Sequence, residues 1–280
     1  VSFVPRIGRG FTVSILKHER IQVPLKQRVA RVIKLADLSS TLRRVTLQGE
    51  DLQGFGFHPL APEAHVKLFF PAGADDVLRM PEVLEDGNAD WQGAAEGRFS
   101  AFRDYTIRAF DADLLTIDID FVLHDVGVGG PWAKQAKVGD LLGIFGPRSV
   151  KLPPLDAVKY VFFVDETSLP ALARWLEILP ESANVDAWIE VDSVNSEISL
   201  PAHAGANLHW LYRNNEQESH SYGRLLLDAL DNMPSDWACG NSWVWAATEA
   251  HAIVQLKRKL INIDALNKDH LDLIAYWKHV

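Results

Sequence analysis

Disulfide chemistry is the first thing this chain excludes: Cys239 is its only cysteine among 280 residues, which leaves no partner for an internal bridge and suits a reducing compartment. Long apolar runs are missing as well. Stretches such as Tyr160 to Val164 are far too short to cross a bilayer, and the first residues show no basic region leading into an apolar one. A cytosolic chain without membrane insertion is therefore expected. No His-Glu-x-x-His, Cys-x-x-Cys or close triplet of histidines and carboxylates occurs despite ten histidines, so no protein-bound metal is expected. Gly-x-Ser-x-Gly and the P-loop are likewise absent. Positive charge is the scarcer sign: 28 Lys and Arg against 37 Asp and Glu give a net charge of −9. That balance disfavours nonspecific binding to nucleic acid or anionic lipid, and any anionic ligand must find a local basic patch.

What is present is an ordinary globular composition, 48% hydrophobic and 23% charged, with no internal repeat. At this length two domains of roughly 130 to 150 residues are expected. Short β segments at 28–35, 41–47, 65–70, 103–110, 114–122 and 141–145, with one short helix near 131–136, predict a small antiparallel barrel. Between them, Gly73 to Ser100 is rich in Gly, Asp, Glu and Ala and has little periodicity, as befits a mobile lid or a plain surface loop. Lys151-Leu152-Pro153-Pro154-Leu155 marks a boundary, because two prolines interrupt regular structure and the pattern changes after them. Beyond it, strands at 159–164, 185–191, 208–212, 242–247 and 271–277 alternate with helices at 169–179, 222–230 and 249–261. Near-continuous apolar strands separated by amphipathic helices predict a parallel sheet covered on both faces. The expected architecture is thus two-domain, β followed by α/β: an antiparallel barrel over 1–152, then a parallel-sheet domain over 153–280 with a C-terminal extension.

Arg103-Asp104-Tyr105-Thr106-Ile107-Arg108 is the segment richest in chemistry. As a strand it puts Arg103, Tyr105 and Ile107 on one face and Asp104, Thr106 and Arg108 on the other. A flavin dinucleotide needs a cation for its pyrophosphate, a flat surface against its ring system and a donor near the reactive nitrogen, which Arg103, Tyr105 and Thr106 can supply. A plain alternating strand accounts for the same residues. Gly127 to Trp132 joins a strand end to a helix, with Pro131 in its first turn, and its backbone amides suit a pyrophosphate; a simple turn is the bland alternative. In the second half no Gly-x-Gly-x-x-Gly follows the first strand. Asp165-Glu166-Thr167-Ser168 leads instead into Pro170 and a helix, where Thr167 or Ser168 serves equally as a cap.

Taken in order, Arg103 to Thr106, Phe121-Val122-Leu123-His124 and Gly127 to Ala133 resemble the siderophore-interacting proteins, the FAD-containing ferric-siderophore reductases. His65 to Pro71 and Gly139 to Arg148 extend the resemblance upstream and along the last barrel strand. Asp165 to Ala171, Trp245 to Glu249 and Tyr276-Trp277 continue it to the other end. The resemblance implies a ferredoxin-reductase-like fold, with FAD on the first domain and a nicotinamide on the second. It implies FAD contacts from Arg103, Tyr105, Thr106, Asp120, Phe121, Leu123, His124, Gly129, Gly130, Trp132 and Ala133, with Thr167 and Trp277 nearby. It places NADH or NADPH over Asp165, Glu166, Trp245 and Glu249, and it allows ferredoxin as an alternative donor. Glu190 and Asp192, near a strand end, lean toward NADH by repelling a 2′-phosphate, whereas Arg213 is of the type that binds one. The loop departs from the family pattern, approximately Gly-Pro-Ala-Ser-Arg-Trp, because Pro131 stands where the arginine before Trp132 is expected.

A ferric siderophore presents hard oxygen donors around Fe³⁺ and often carries negative charge, so its dock calls for cations. Lys67 and Lys257 match basic positions of the family, and Arg258 and Lys278 are further candidates, although Lys257-Arg258-Lys259 late in a helix also simply complements its dipole. The expected activity is FAD-dependent reduction of a ferric siderophore with release of Fe²⁺, without a side-chain acid or base. A general flavin reductase or diaphorase, and a noncatalytic ferric-siderophore carrier, are the alternatives.

Overall fold

The computed structural model describes residues 16–73, 76–215 and 219–279. Its first half is a seven-stranded antiparallel sheet of β2 (Gln27–Asp37), β3 (Leu42–Gln48), β4 (His65–Phe70), β5 (Ala101–Thr106), β6 (Ala109–Asp111), β7 (Thr116–Val122) and β8 (Leu141–Phe145). Their order across the sheet is β5-β4-β8-β2-β3-β7-β6, and a ribbon of β1 (Glu19–Gln22) with β9 (Ser149–Leu152) lies beside it. Alternation along these strands buries Val32, Val45, Leu47, Val66, Leu68, Ile117, Ile119 and Ile144 on one side. The sheet curls so far that Tyr105 on its first edge packs at a tilt against Phe121 near its last, with ring centroids 4.4 Å apart. Helix α1 (Gly129–Gln135) sits beneath that contact.

The second half is a parallel sheet ordered β12-β11-β10-β13-β14, made of β10 (Lys159–Asp165), β11 (Asn184–Val191), β12 (Ala206–Tyr212), β13 (Ser242–Glu249) and β14 (Leu271–Trp277). Helix α2 (Leu169–Ile178) covers one face through Leu172, Trp175 and Leu176. Helices α3 (Arg224–Asp231) and α4 (Ala250–Leu260) cover the other through Leu226, Leu230, Ile253 and Leu256. Burial on both faces explains the unbroken apolar runs, and every residue of β13 is buried. Antiparallel curled sheet followed by parallel sheet with helices is the ferredoxin-reductase-like order. No helix among the described residues is long and apolar enough to cross a membrane.

Three expectations are corrected here. The strand expected over 103–110 is two strands, because the chain changes partners between them: Ile107 donates its N–H to Ala64 and Arg108 donates to Asp118 on β7. Helix α1 starts at Gly129, so Pro131 is its third residue and still within the turn that has no internal acceptor for its N–H. Helix α3 starts only at Arg224, since Gly223 holds φ of 76°, a left-handed conformation that ends the preceding segment. Within the stretch 76–100, Trp91 packs over the outer face of β4, β5 and β8, 5.3 Å from Phe102 and 5.9 Å from Phe145 by ring centroids, while 82–88 and 94–98 are exposed.

Two sheets of different type are joined by buried polar groups. Arg174 on α2 is 2% exposed and donates to the carbonyls of Ile107, His58 and Pro59 at 2.8 to 3.3 Å, with its guanidinium 4.6 Å from the Phe57 ring centroid. Burial lowers its pKa to about 10. Arg108 reaches Glu177 on the same helix at 2.6 Å. Arg174→Met keeps most of the volume but strands those carbonyls, and it is expected to cost roughly 2 to 4 kcal/mol. Urea denaturation checks this: the midpoint falls while the slope stays unchanged.

Candidate functional site

The chain's chemistry collects where the end of β5, the end of β7 and the start of α1 converge. Antiparallel register pairs Val66 with Tyr105 and Lys67 with Asp104, so Tyr105 and Arg103 share the inner face while Lys67 and Asp104 share the outer one. On the inner face Tyr105, Phe70, Phe121 and Trp132 form an aromatic group, with Phe121 to Trp132 at 5.4 Å and Phe70 to Tyr105 at 6.2 Å. Arg103 is exposed beside the half-buried Tyr105 and donates to the Phe102 carbonyl at 2.7 Å. Burial pushes the Tyr105 phenol well up, against the opposing charge of Arg103. Gly129 lies so close that a Cβ there would overlap the Tyr105 hydroxyl. At Gly130 a Cβ would sit 2.7 Å from both the His124 ring and the His124 carbonyl. Both positions require glycine, and their buried backbone faces Tyr105 and His124.

These features fit a flavin dinucleotide: a flat ring, a guanidinium on the same face, and a glycine-walled helix start packed closely against that ring. Leu123 is half-buried and His124 exposed at the rim, while Trp132 is half-buried and Ala133 wholly buried under it. Thr106 is buried and bonds to the Tyr276 side chain on β14. Asp120 is engaged elsewhere, since both of its oxygens accept from Arg44 at 2.7 and 2.8 Å.

At the carboxyl end of the parallel sheet, Asp165 is the organiser. One oxygen accepts from the Thr167 N–H and hydroxyl, and the other accepts from Thr248 and from the Trp277 indole at 2.8 Å. Trp277 stands edge-on to Tyr222, with centroids 4.7 Å apart. Glu249 caps α4 by accepting from the His251 and Ala252 N–H groups. Trp245 is completely buried between Phe162 and Trp175, so its ring belongs to the core rather than to the sheet end.

Arg213 is not available to a 2′-phosphate. It is 5% exposed, paired with Glu166 and Glu190, and stacked 4.7 Å from the Tyr222 ring centroid. Burial works against its charge, but the two carboxylates outweigh that and raise its pKa, while burial pushes both glutamates up. Lys67 is likewise engaged, with its ammonium 2.7 Å from Asp104 and 5.6 Å from the Phe102 ring centroid. Lys257, Arg258 and Lys278 are exposed. The structure therefore gathers the flavin candidates but does not bring Lys67 onto the face of Arg103 and Tyr105.

A buried cluster behind Thr106 had no signal in the sequence, because its members come from four separate segments. Lys151 binds Glu63 at 3.2 Å and Asp272 at 2.7 Å, and His18 binds Asp272 at 2.9 Å. One oxygen of Glu63 is buried without a hydrogen-bond partner. Burial and the neighbouring Asp272 push the Glu63 carboxyl up from 4.5 to about 8, against the pull of Lys151.

Comparison with known proteins agrees with this geometry. Residues 31–151 match the siderophore-interacting FAD-binding domain, and residues 157–280 match the siderophore-interacting protein family. The ferric vibriobactin reductase ViuB of Vibrio cholerae is 30% identical over 246 residues, 86% of this chain and 85% of that protein. The NADPH-dependent ferric-chelate reductase of Escherichia coli K12 is 30% identical over 265 residues, 92% of this chain and 96% of that one. A siderophore utilization protein from T. fusca superposes with TM-score 0.82 at 35% identity, covering 94% of this chain and 97% of the other. A curled antiparallel sheet with a flavin-compatible edge, followed by a parallel sheet, defines the class as ferredoxin-reductase-like. Within it, this chain belongs to the siderophore-interacting protein family.

The Glu63 shift has a definite sign in stability. A carboxyl whose folded pKa is raised favours the fold most below its ordinary pKa, and that contribution is lost as pH rises through the folded value. Urea midpoints should therefore decline between about pH 4.5 and 8 in part because of this residue. Glu63→Gln is expected to flatten that limb, as measured by denaturation across the same range.

Proposed function

We propose that this chain is an FAD-dependent ferric-siderophore reductase. Support comes chiefly from one arrangement: Tyr105 and Arg103 on the inner face at the end of β5, set against the glycine-walled start of α1. FAD, once bound, converts a two-electron donor into a source of single electrons for iron. Arg103 would neutralise the pyrophosphate, and Tyr105 with the aromatic group beneath it would support the ring. Thr167 and Trp277 close the far side. The division of labour follows the two sheets, with the flavin on residues 1–152 and the nicotinamide on residues 153–280.

Electrons come from NADH or NADPH near Asp165, Glu166 and Glu249. The similarity to an NADPH-dependent reductase supports a nicotinamide donor; ferredoxin is the alternative donor. Iron is the substrate, and hard oxygen chelators hold Fe²⁺ far less tightly than Fe³⁺. Because the ferric complex is often anionic, the exposed cations Lys257, Arg258 and Lys278 are better placed than Lys67 to meet it in solution. The engagement of Lys67 by Asp104 favours a second reading, a diaphorase acting on neutral acceptors.

The direct test reduces the purified flavoprotein anaerobically with NADH, then adds a ferric siderophore and a ferrous-chelating dye. Bleaching followed by flavin reoxidation as the dye complex forms is the expected result; reoxidation by quinones alone would favour the diaphorase. Gly129→Ala is expected to displace Tyr105 and lower the FAD retained after gel filtration by about tenfold or more. Adding Tyr105→Phe removes the overlapping hydroxyl and should recover part of the loss, measured as the ratio of flavin to protein absorbance.

A further inference from the structure

Two carboxylates, Glu63 and Asp272, share a single ammonium, Lys151, in the joint between the two sheets. With both ionised, the pair carries one negative charge more than Lys151 neutralises, and a largely buried site relieves that excess by holding a proton. Partners decide which carboxylate holds it. Burial works against the Asp272 charge, but His18 and Lys151 outweigh burial and keep its pKa below the ordinary value. Glu63 is 8% exposed, and one of its oxygens has no hydrogen-bond partner among the described residues. Burial and Asp272 hold its pKa up to about 8, so near neutral pH Glu63 is the protonated member.

The cluster lies beside the strand that carries the flavin candidates. Ala64 accepts from the Ile107 N–H, and His65 pairs in register with Thr106, the residue after Tyr105. From β14, Tyr276 bonds the Thr106 side chain, and burial together with Glu63 pushes its phenol well up. Glu63 thus faces Lys151 from β9, Asp272 and Tyr276 from β14 and Thr106 from β5, while His18 pairs with Asp272 ahead of β1. His18 and Lys151, each 21% exposed, connect the cluster to solvent. A perturbed carboxyl between a site of electron transfer and solvent has the setting of a functional acid.

We propose that Glu63 is a redox-linked proton site: it binds a proton more tightly when a flavin beside Tyr105 is reduced, and by reciprocity its protonation favours that reduction. This rests on the reading of the chain as a flavoprotein. Hydride from the donor brings two electrons and one proton, so one negative charge is added at the flavin, and the Glu63 carboxylate balances it by taking a proton from solvent. When the two electrons pass to two ferric ions, the hydride's proton and that of Glu63 both return to solvent.

Infrared difference spectra of the flavoprotein, oxidised and dithionite-reduced, read the carboxyl directly. The protonated-carboxyl band that Glu63→Gln removes should titrate at about 8 in the oxidised protein. It should titrate about one unit higher in the reduced protein. The same midpoint in both redox states would overturn the proposal. The equilibrium with NADH gives a second readout: from about pH 7 to about pH 10, flavin reduction in the unmodified protein should become about tenfold less favourable relative to Glu63→Gln, which is neutral throughout. Asp272→Asn removes a charge that holds Glu63 up, so there the same change should fall at lower pH. An unshifted limb in Asp272→Asn, or a limb that Glu63→Gln retains, would mark the cluster as a structural joint only. Protein that retains no flavin would remove the flavoprotein reading and this proposal with it, whereas retained flavin without a redox-dependent midpoint refutes the proposal alone.

Discussion

The joint between the two sheets is the constraint on which the rest depends. An antiparallel curled sheet and a parallel sheet share no hydrogen-bond ladder, so their relative placement rests on side chains that cross between them. Arg174 does this by ending α2 of one half on backbone carbonyls of the other. Those carbonyls flank β4 and follow β5, the strands that carry the flavin candidates. A buried guanidinium tolerates little displacement, because each lost acceptor leaves a desolvated charge and an unsatisfied carbonyl. The Glu63, Lys151 and Asp272 cluster makes a second crossing, and Tyr276 ties β14 to Thr106. The edge that would receive electrons and the sheet that would deliver them are therefore positioned by the same polar contacts.

Charge is distributed with a corresponding division. On the first sheet the inner face offers the exposed Arg103 guanidinium beside Tyr105, which is the chemistry of anion binding. On the second sheet the starts of α3 and α4 donate to Glu190 and Glu249, and the buried Arg213 is paired with Glu166 and Glu190. The two sheets thus differ in which of their charges are exposed, although each topology alone is compatible with nucleotide binding. Function follows from the side chains placed on the fold rather than from the fold itself.

Strand alternation made β4 and β8 readable to the residue, and apolar runs bounded by turn residues located all five parallel strands. Arg103, Tyr105 and the glycines of α1 were legible because a short motif places them within one strand and one turn. Where sequence reasoning failed, a partner decided the outcome. The 103–110 strand broke because its hydrogen bonds pass from one neighbouring strand to another, which periodicity cannot reveal. Trp245 sits in a motif near a strand end, yet its ring points into the core formed with Phe162 and Trp175. Lys67 matched a family position, but its register opposite Asp104 turns it to the outer face beneath Trp91.

By itself, the sequence determined the order of elements, the two sheet types and the local motif of the flavin edge, because each of these follows from periodicity and from residues close together in the chain. Tertiary structure alone decided which charges are free. Arg213 and Arg174 look in the sequence like any other basic residue, but one is consumed by Glu166 and Glu190 and the other by distant carbonyls. Availability depends on burial and on partners tens or hundreds of positions away, and a one-dimensional pattern contains neither.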